Sequence, residues 1–286
     1  MKKILITGAN SYIGTSFEKY IHDNFPEEYS IDTVDMLDGT WREKSFSGYD
    51  SLFHVAGIAH QKETKKNANL YYCVNRDLAI EIAQKAKSDG VKQFVFLSSM
   101  SIYGMDVGVI TRETEPNPKS HYGKSKWQAE QAIAPLNSED FKVCILRPPM
   151  VYGKGCKGNY PLLVKIALKT PFFPYVKNER SMLYIENLCE FVRLMMDNGE
   201  QGTFWPQNAE YVNTSELVKM IAHTHGKKLR LVKGFGWALK LLSCVTSRVN
   251  KAFGSLMYDK EMSAWQTGYR LFDVPTSVEI TENTGG

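Results

Sequence analysis

One tyrosine in this chain stands where it could move a proton. Of the fifteen tyrosines, only Tyr122 has a lysine four residues downstream, Lys126, inside the stretch SHYGKSKWQAE (120–130). On a helix that spacing puts phenol and ammonium on one face. A free phenol, with a pKa of roughly 10, is a poor base at neutral pH, and a neighbouring ammonium favours its phenolate. Upstream, the run QFVFLSSMSIYG ends a predicted strand in Ser98 and Ser99, hydroxyls able to orient a substrate oxygen. Ser, Tyr and Lys together suit the interconversion of an alcohol and a carbonyl, where a hydroxyl proton is taken within hydrogen-bond reach. Read alone, the Tyr–Lys pair is equally an ordinary solvent-facing contact, so the rest of the chain has to discriminate.

Such an exchange needs a hydride carrier, and TGANSYIG (7–14) offers a place for one. It joins a predicted strand, KILITGA (3–9), to a predicted helix, YIGTSFEKYIHDN (12–24). Glycines at that junction let the backbone approach a pyrophosphate, and the helix N-terminus stabilises its charge. A glycine pair by itself also makes a plain tight turn. Asp35, however, lies 21 residues past Gly14, at the end of the second predicted strand, YSIDTVDM (29–36). An acid there holds a ribose 2′-hydroxyl and repels a 2′-phosphate, which favours NAD over NADP; outside this context it would read as a solvated strand-end acid. Ser11 stands where the middle glycine of such loops usually is. It is small, and can bond a phosphate or cap the helix.

The elements that must position these residues alternate. SLFHVAG (51–57), QFVFLSS (93–99) and KVCILRPP (142–149) read as further strands. NLYYCVNRDLAIEIAQKAKSDG (69–90) and YGKSKWQAEQAIA (122–134) read as helices between them. Nearly continuous apolar strands separated by helices predict a parallel sheet covered on both faces. After Tyr152 the texture changes. GKGCKGNYP (153–161) reads as a loop leading into a helix that ends near Lys169. RSMLYIENLCEFVRLMMDNG (180–199) reads as a short strand and a helix, GTFWPQ (202–207) as a strand, and TSELVKMIAHTHG (214–226) as a helix. With no repeat and no low-complexity linker, any second domain is interleaved with the first. The expected division is 1–152 with 175–212 as a dinucleotide-binding domain, and 153–174 with 213–286 as a substrate domain.

Composition narrows the classes. A chain of 286 residues, 43% hydrophobic, can bury a sizeable core. Its formal charge of +4 is small, and the densest basic run, QKETKK (61–66), reads as a solvated loop rather than a nucleic-acid footprint. Cys73, Cys144, Cys156, Cys189 and Cys244 are scattered with no CxxC, which favours reduced thiols over disulfides or zinc. No secretory signal or membrane-length apolar run is visible, so the expected location is the cytoplasm. FGWALKLLSCVTSRV (235–249), interrupted by Lys240, Ser243 and Arg248, reads as an amphipathic helix packed on the protein, with membrane-surface docking the minority reading.

Taken in order, these motifs resemble the extended short-chain dehydrogenase/reductase superfamily, specifically the NAD-dependent epimerase/dehydratase family acting on nucleotide sugars. The resemblance runs through TGANSYIG, Asp35, FHVAG (53–57), Asn75, FVFLSSMSIYG (94–104), YGKSK (122–126) and LRPPMVYGKG (146–155), and continues in KGNY (157–160) and RSMLYIENL (180–188). It implies an α/β fold, a Rossmann-type doubly wound parallel sheet with a smaller, interleaved C-terminal substrate-binding domain. It implies Ser99, Tyr122 and Lys126 as catalytic, with Tyr122 the acid/base. Cofactor contacts would come from Gly8, Asn10, Ser11, Tyr12, Ile13, Gly14 and Asp35, then from His54, Val55, Ala56 and Gly57. Asn75, Leu97, Ser98, Pro148 and Val151 would complete them beside Tyr122 and Lys126. Substrate contacts would come from Ser99, Ser101, Asn159 and Arg180, the last two resembling positions that hold a nucleotide diphosphate. An Arg suits that role because its planar donors bind two oxygens together. Each supporting residue also has a plain reading: His54 as a core histidine, Asn75 as a helix-start polar group, Pro148 and Val151 as chain-shaping residues, Arg180 as a surface cation.

Within the family, sugar-nucleotide 4,6-dehydratases carry an Asp-Glu pair directly after the catalytic hydroxyl residue. Here Met100 and Ser101 stand there, and neither can replace a carboxyl group, so dehydration is not expected. Two chemistries remain. A 4-epimerase oxidises C4 with retained NAD, lets the keto-sugar turn over and returns the hydride. A 4-ketoreductase takes hydride from reduced cofactor and releases a deoxy sugar nucleotide. Both use the same Ser, Tyr and Lys; Asp35 leans towards NAD and the epimerase. KGNY and the RSMLYIENL region are similar to the bacterial surface-polysaccharide branch, which includes reductases making 6-deoxy-amino sugars. The resemblance thus implies a UDP-linked sugar as substrate and helix–helix homodimers as the common assembly. A binding-only Rossmann protein would have no need of Ser99, Tyr122 and Lys126.

Overall fold

Four apolar runs become the inner strands of one sheet because each buries both of its faces, and two less buried runs pair at its edges. The computed structural model describes residues 1–59, 61–234, 253–265 and 267–283. The strands are β1 (Lys2–Thr7), β2 (Tyr29–Val34), β3 (Ser51–His54), β4 (Gln93–Leu97), β5 (Lys142–Leu146) and β6 (Gly202–Phe204). They run β6-β5-β4-β3-β1-β2 across the sheet, and every pairing is parallel. The order reverses at β1, which lies between β2 and β3. In an open α/β sheet that switch point opens the crevice where ligands bind, outside the carboxyl ends of the strands.

Period-two alternation assigns each face its helices. On β3, Leu52 joins Phe94 and Phe96 of β4 in a fully buried cluster. Ala79, Ile82, Ala83 and Ala86 cover that cluster from one helix, and Ala129 and Ile133 from another. The first is α2, which runs from Ala68–Tyr72 through a π-helical turn at Cys73–Asp77 into Leu78–Ser88; the second is α3 (His121–Ile133). Phe53 points the other way and meets Phe17 of α1 (Tyr12–Asn24) edge-on, with ring centroids 5.3 Å apart. Beside α1 on that face runs a further helix at Ile185–Asp197, whose Glu190 accepts from Tyr20 at 2.9 Å. The sheet is therefore doubly wound, as expected. The long helix expected over 69–90 differs by its π-turn, which widens the helix at Asn75.

Two compact units make up the chain. The first holds Met1–Gly104, Glu115–Pro148 and Leu188–Pro206, and contains the whole six-stranded sheet. The second holds Met105–Thr114, Pro149–Asn187 and the described residues from Gln207 onward. This division departs from the expected one in four segments: 105–114, 149–152, 175–187 and 207–212 all go with the second unit. The reason lies in strand pairing within that unit. Gly108–Ile110 pairs with Leu256–Tyr258, Met150–Tyr152 with Met182–Tyr184, and Phe172–Pro174 with Arg230–Val232. The amphipathic segment 235–249 and Cys244 lie outside the described residues; the other four cysteines are free thiols. No helix among the described residues is long and apolar enough to cross a membrane.

Candidate active site

The turn between β1 and α1 is shaped for close approach. Gly8 has φ +105°, and a Cβ there would stand 2.8 Å from the backbone N and Cα of Ala56. A side chain is therefore excluded both by conformation and by space. Asn10 adopts a left-handed φ of +64°, which Asn tolerates better than most residues. Ser11 caps α1: its Oγ accepts from the Gly14 N–H at 3.2 Å. Of the two roles open to it, the helix cap is the one observed. Tyr12 and Ile13 form the first helical residues, and at Gly14 a Cβ would meet Ser11 Oγ at 2.6 Å.

Neighbouring strand ends converge on this turn. The Gly8 N–H donates to Val34 O at 3.0 Å, the residue before Asp35, and Val55 and Ala56 both donate to Thr7 O. Asp35 is exposed and accepts from the Leu37 N–H at 2.9 Å. The structure thus brings the glycine turn, Asp35 and Val55–Gly57 to one edge of the sheet. His54 is fully buried between the rings of Phe94 and Phe96, each 5.9 Å away, with Nδ1 2.7 Å from Thr7 Oγ1. Burial, and then the charge of Lys126, push its imidazole down to about 3, so it stays neutral.

Next to that edge, the π-turn delivers Asn75 inward. It is fully buried, accepts from the Ile58 N–H at 2.7 Å, and donates to Ile58 O and Ser125 Oγ at 3.1 and 3.2 Å. These bonds fix the chain just after Gly57. At Gly57 itself a Cβ would lie 3.0 Å from Asn75 Oδ1 and 3.5 Å from Lys126 Nζ.

β4 ends at Leu97, whose carbonyl accepts from Lys126 Nζ at 2.7 Å. The ammonium also lies 4.7 Å over the Phe96 ring. Lys126 is 4% exposed, and burial pushes it down to about 8 although Glu130 opposes that. Ser98 donates to the Glu130 carboxylate, and its N–H to Leu146 O. Ser99 begins a 3-10 turn, Met100–Tyr103, with its Oγ accepting from the Ser101 N–H at 3.1 Å. Met100 donates its N–H to Pro148 O at 3.0 Å. A Cβ on Gly123 would stand 2.6 Å from Ser101 O, so this glycine lets α3 lie directly on the turn. This brings the Tyr122 phenol under the influence of the Ser99 hydroxyl, whose own proton points to Ser101 Oγ at 3.2 Å. Tyr122 is half-buried; burial pushes its phenol up, and the Ser99 hydroxyl opposes that. The lowering expected from the lysine does not appear among the influences on the phenol in this state.

A charged cluster beneath this group escaped the sequence reading. Arg147, after β5, clamps Glu130 with Nε and Nη2, the latter at 2.6 Å. Its Nη1 donates to the Tyr103 hydroxyl at 2.9 Å, which also accepts from Trp205 Nε1 at 2.8 Å. The guanidinium lies over the rings of Tyr103, Trp127 and Trp205. One signal was available: Tyr122, Lys126 and Glu130 repeat at four-residue spacing within SHYGKSKWQAE.

The second unit carries the remaining expected residues. Val151 lies in Met150–Tyr152, and Asn159 opens the helix Asn159–Lys169, exposed. Arg180 bridges backbone to Val212 and Leu256. Its Nη1 donates to Gly254 O at 2.7 Å, and burial pushes the guanidinium down against the charge of Asp106. Arg180 and Asn159 share no hydrogen bond among the described residues.

Comparison with known proteins supplies the family. Residues 4–205 match the profile of the NAD dependent epimerase/dehydratase family. The chain is 27% identical to a UDP-glucose 4-epimerase of Vibrio cholerae, over 93% of its own length and 90% of that protein's. It is 26% identical to an N-acetyl-alpha-D-glucosaminyl-diphospho-ditrans,octacis-undecaprenol 4-epimerase of Escherichia coli O157:H7, over 79% and 73% of the two chains. In structure it is similar to a dTDP-4-dehydrorhamnose reductase from Clostridium acetobutylicum, with a TM-score of 0.76 at 19% identity over 98% of each chain.

Proposed function

The chain belongs to the NAD-dependent epimerase/dehydratase family, and from that premise we propose that it is a 4-epimerase of a UDP-hexose or UDP-N-acetylhexosamine. It is an enzyme of the epimerase or reductase kind. The observation that carries the reading is that Tyr122 and Lys126 lie one turn apart on α3, with Lys126 tied to the end of β4 just before Ser99.

The residues of the first unit fit the dinucleotide that the family name implies. Gly8 leaves the backbone bare where a pyrophosphate must approach, the capped start of α1 faces the same turn, and Asp35 presents an acid at the end of β2. When bound, NAD accepts the C4 hydride of the sugar and gives it back.

The protein's own groups handle the proton. Ser99 holds the C4 oxygen by its hydroxyl, and Tyr122 takes the O4 proton as the carbonyl forms. Lys126, kept charged in a buried setting, favours the phenolate more strongly than it would in water. After the 4-keto sugar turns its other face, Tyr122 returns the proton. Asn75 holds the loop after Gly57, and Met100 and Ser101 supply no second acid or base for dehydration. The homology to 4-epimerases and the acid at position 35 both support retained NAD over exchanged NADPH. A role in building cell-surface polysaccharide is part of the same reading.

The test incubates purified protein separately with UDP-glucose, UDP-GlcNAc, undecaprenyl-diphosphate-linked GlcNAc and a UDP-4-keto-6-deoxy-amino sugar. Interconversion at C4 without added reductant is the expected result. Consumption of NADH or NADPH with the keto-sugar alone would replace the epimerase by a 4-ketoreductase. Tyr122→Phe should abolish turnover while leaving NAD binding intact, and mass spectrometry of the denatured protein should detect released NAD.

A further inference from the structure

We propose that Glu63 is a positioning residue for Tyr122: it reaches from the loop between β3 and α2 to hold the first turn of α3. The proposal deepens the reading of Tyr122 as proton carrier and rests on it. The first intrahelical bond of α3 runs from the Lys124 N–H to Ser120 O. Ahead of it, the N–H groups of His121, Tyr122 and Gly123 have no partner within the helix. Ser120 Oγ accepts from Gly123 at 3.0 Å. Glu63 takes the other two, Oε2 from His121 at 2.9 Å and Oε1 from Tyr122 at 3.0 Å. One carboxylate thus satisfies two successive N–H groups and places its charge at the positive end of the helix, where such a charge is most favourable.

Hydrogen bonds hold described residues on both sides of Glu63. Asn75 clamps Ile58, Tyr71 donates to Gln61 O at 3.1 Å, and Asn67 bonds back to Lys62 O and Thr64. The run QKETKK therefore contains one half-buried anchor among its solvated lysines. Tyr122 is held at both ends of its backbone, its N–H by Glu63 and its carbonyl by the Ser125 hydroxyl at 2.9 Å. With the backbone fixed, the phenol has only its side-chain torsions left. Proton transfer is sensitive to such placement: a displacement of about 1 Å can lower a rate on the order of 100-fold.

Three variants test this. Glu63→Ala should lower kcat by roughly 10-fold, as for a displacement well under 1 Å, with KM changed less than about twofold because no Glu63 atom is asked to touch the nucleotide. Glu63→Gln should recover part of the loss, since its amide oxygen still accepts from one N–H. Ser120→Ala removes the other cap of the same turn, at a similar cost to the helix, but leaves the Tyr122 N–H held, so kcat should stay within about twofold. Hydrogen exchange supplies an arm that needs no substrate: Glu63→Ala should speed exchange at His121 and Tyr122 and leave Gly123 protected. Equal kcat losses in Glu63→Ala and Ser120→Ala would mean a merely structural cap and overturn the proposal. Unchanged protection at His121 and Tyr122 would overturn it as well. If the wild type turns over none of the sugar nucleotides, the epimerase reading fails, and the exchange arm still decides whether Glu63 anchors Tyr122.

Discussion

Lys126 is the residue at which catalysis and stability pull in opposite directions. It is 4% exposed, and burial pushes its ammonium from 10.5 down to about 8. Each pKa unit is worth about 1.4 kcal/mol, so keeping the charge in the folded state below pH 8 costs roughly 3 kcal/mol. The folded pKa lies below the unfolded one. At pH 7 both states hold the proton and the full cost is present. Between about 8 and 10.5 the folded state releases its proton first, so stability rises with pH through that window. Lys126→Met keeps the stem and removes the charge, at the loss of the bond to Leu97 O, which contributes about 2 kcal/mol because its donor is charged. The variant should therefore be about 1 kcal/mol more stable than wild type at pH 7 while losing turnover. By pH 10.5 the wild type has recovered its deficit and the order should reverse. Urea denaturation at the two pH values, followed by tryptophan fluorescence, measures this; Trp41, Trp127 and Trp205 all lie in the unit concerned. A variant less stable than wild type at pH 7, or a gap that does not change between the two pH values, would refute the buried charge.

Further substitutions probe the groups around it. Glu130→Gln leaves Arg147 without its carboxylate in a setting where the two side chains are 2% and 11% exposed, and should destabilise by about 3–5 kcal/mol in the same denaturation assay; a loss below about 1 kcal/mol would class the pair with exposed ones. Gly8→Ala forces a Cβ within 2.8 Å of the Ala56 backbone at φ +105°, and should both lower the melting temperature and abolish NAD binding in a fluorescence titration, so an Ala variant that binds NAD normally would remove the turn from the cofactor site. Asp35→Asn should weaken NAD by roughly 10-fold, the worth of a hydrogen bond to a charged group, and narrow the preference over NADP; an unchanged NAD-to-NADP affinity ratio would assign the acid to solvent.

What could be read from the sequence and what could not divide along the distance between partners. The strands, the turn at Gly8, the acid at Asp35 and the Tyr122–Lys126 pair each lie in a short run whose residues carry their own pattern. The sheet was legible because near-continuous apolar strands separated by helices leave few alternatives. Ser11 was legible only to a pair of roles, because a cap and a phosphate ligand ask for the same hydroxyl. Glu63 and Tyr122 are 59 positions apart, and Glu130 and Arg147 are 17; nothing local distinguishes Glu63 from a solvated acid, and for Glu130 the four-residue spacing from Lys126 is the one local hint. The π-turn at Cys73–Asp77 follows from what Asn75 must reach at Ile58, and the three-residue strands of the second unit follow from their partners. Neither leaves a periodicity long enough to detect.

The face of α3 grades its phenol, ammonium and carboxylate by depth. Its residues deepen at every fourth position: Tyr122 is half-buried, Lys126 4% exposed and Glu130 2%. A proton carrier has to stay open to its substrate, whereas a charge acts more strongly where water is excluded. A lone carboxylate one turn below the ammonium would draw it away and largely cancel its field. Arg147 prevents that by taking both oxygens of Glu130, with Ser98 adding a further donor. The cluster of Lys126, Glu130 and Arg147 is left with one net positive charge. Because Lys126 Nζ is tied to Leu97 O, that charge is fixed at the end of β4, two residues before Ser99.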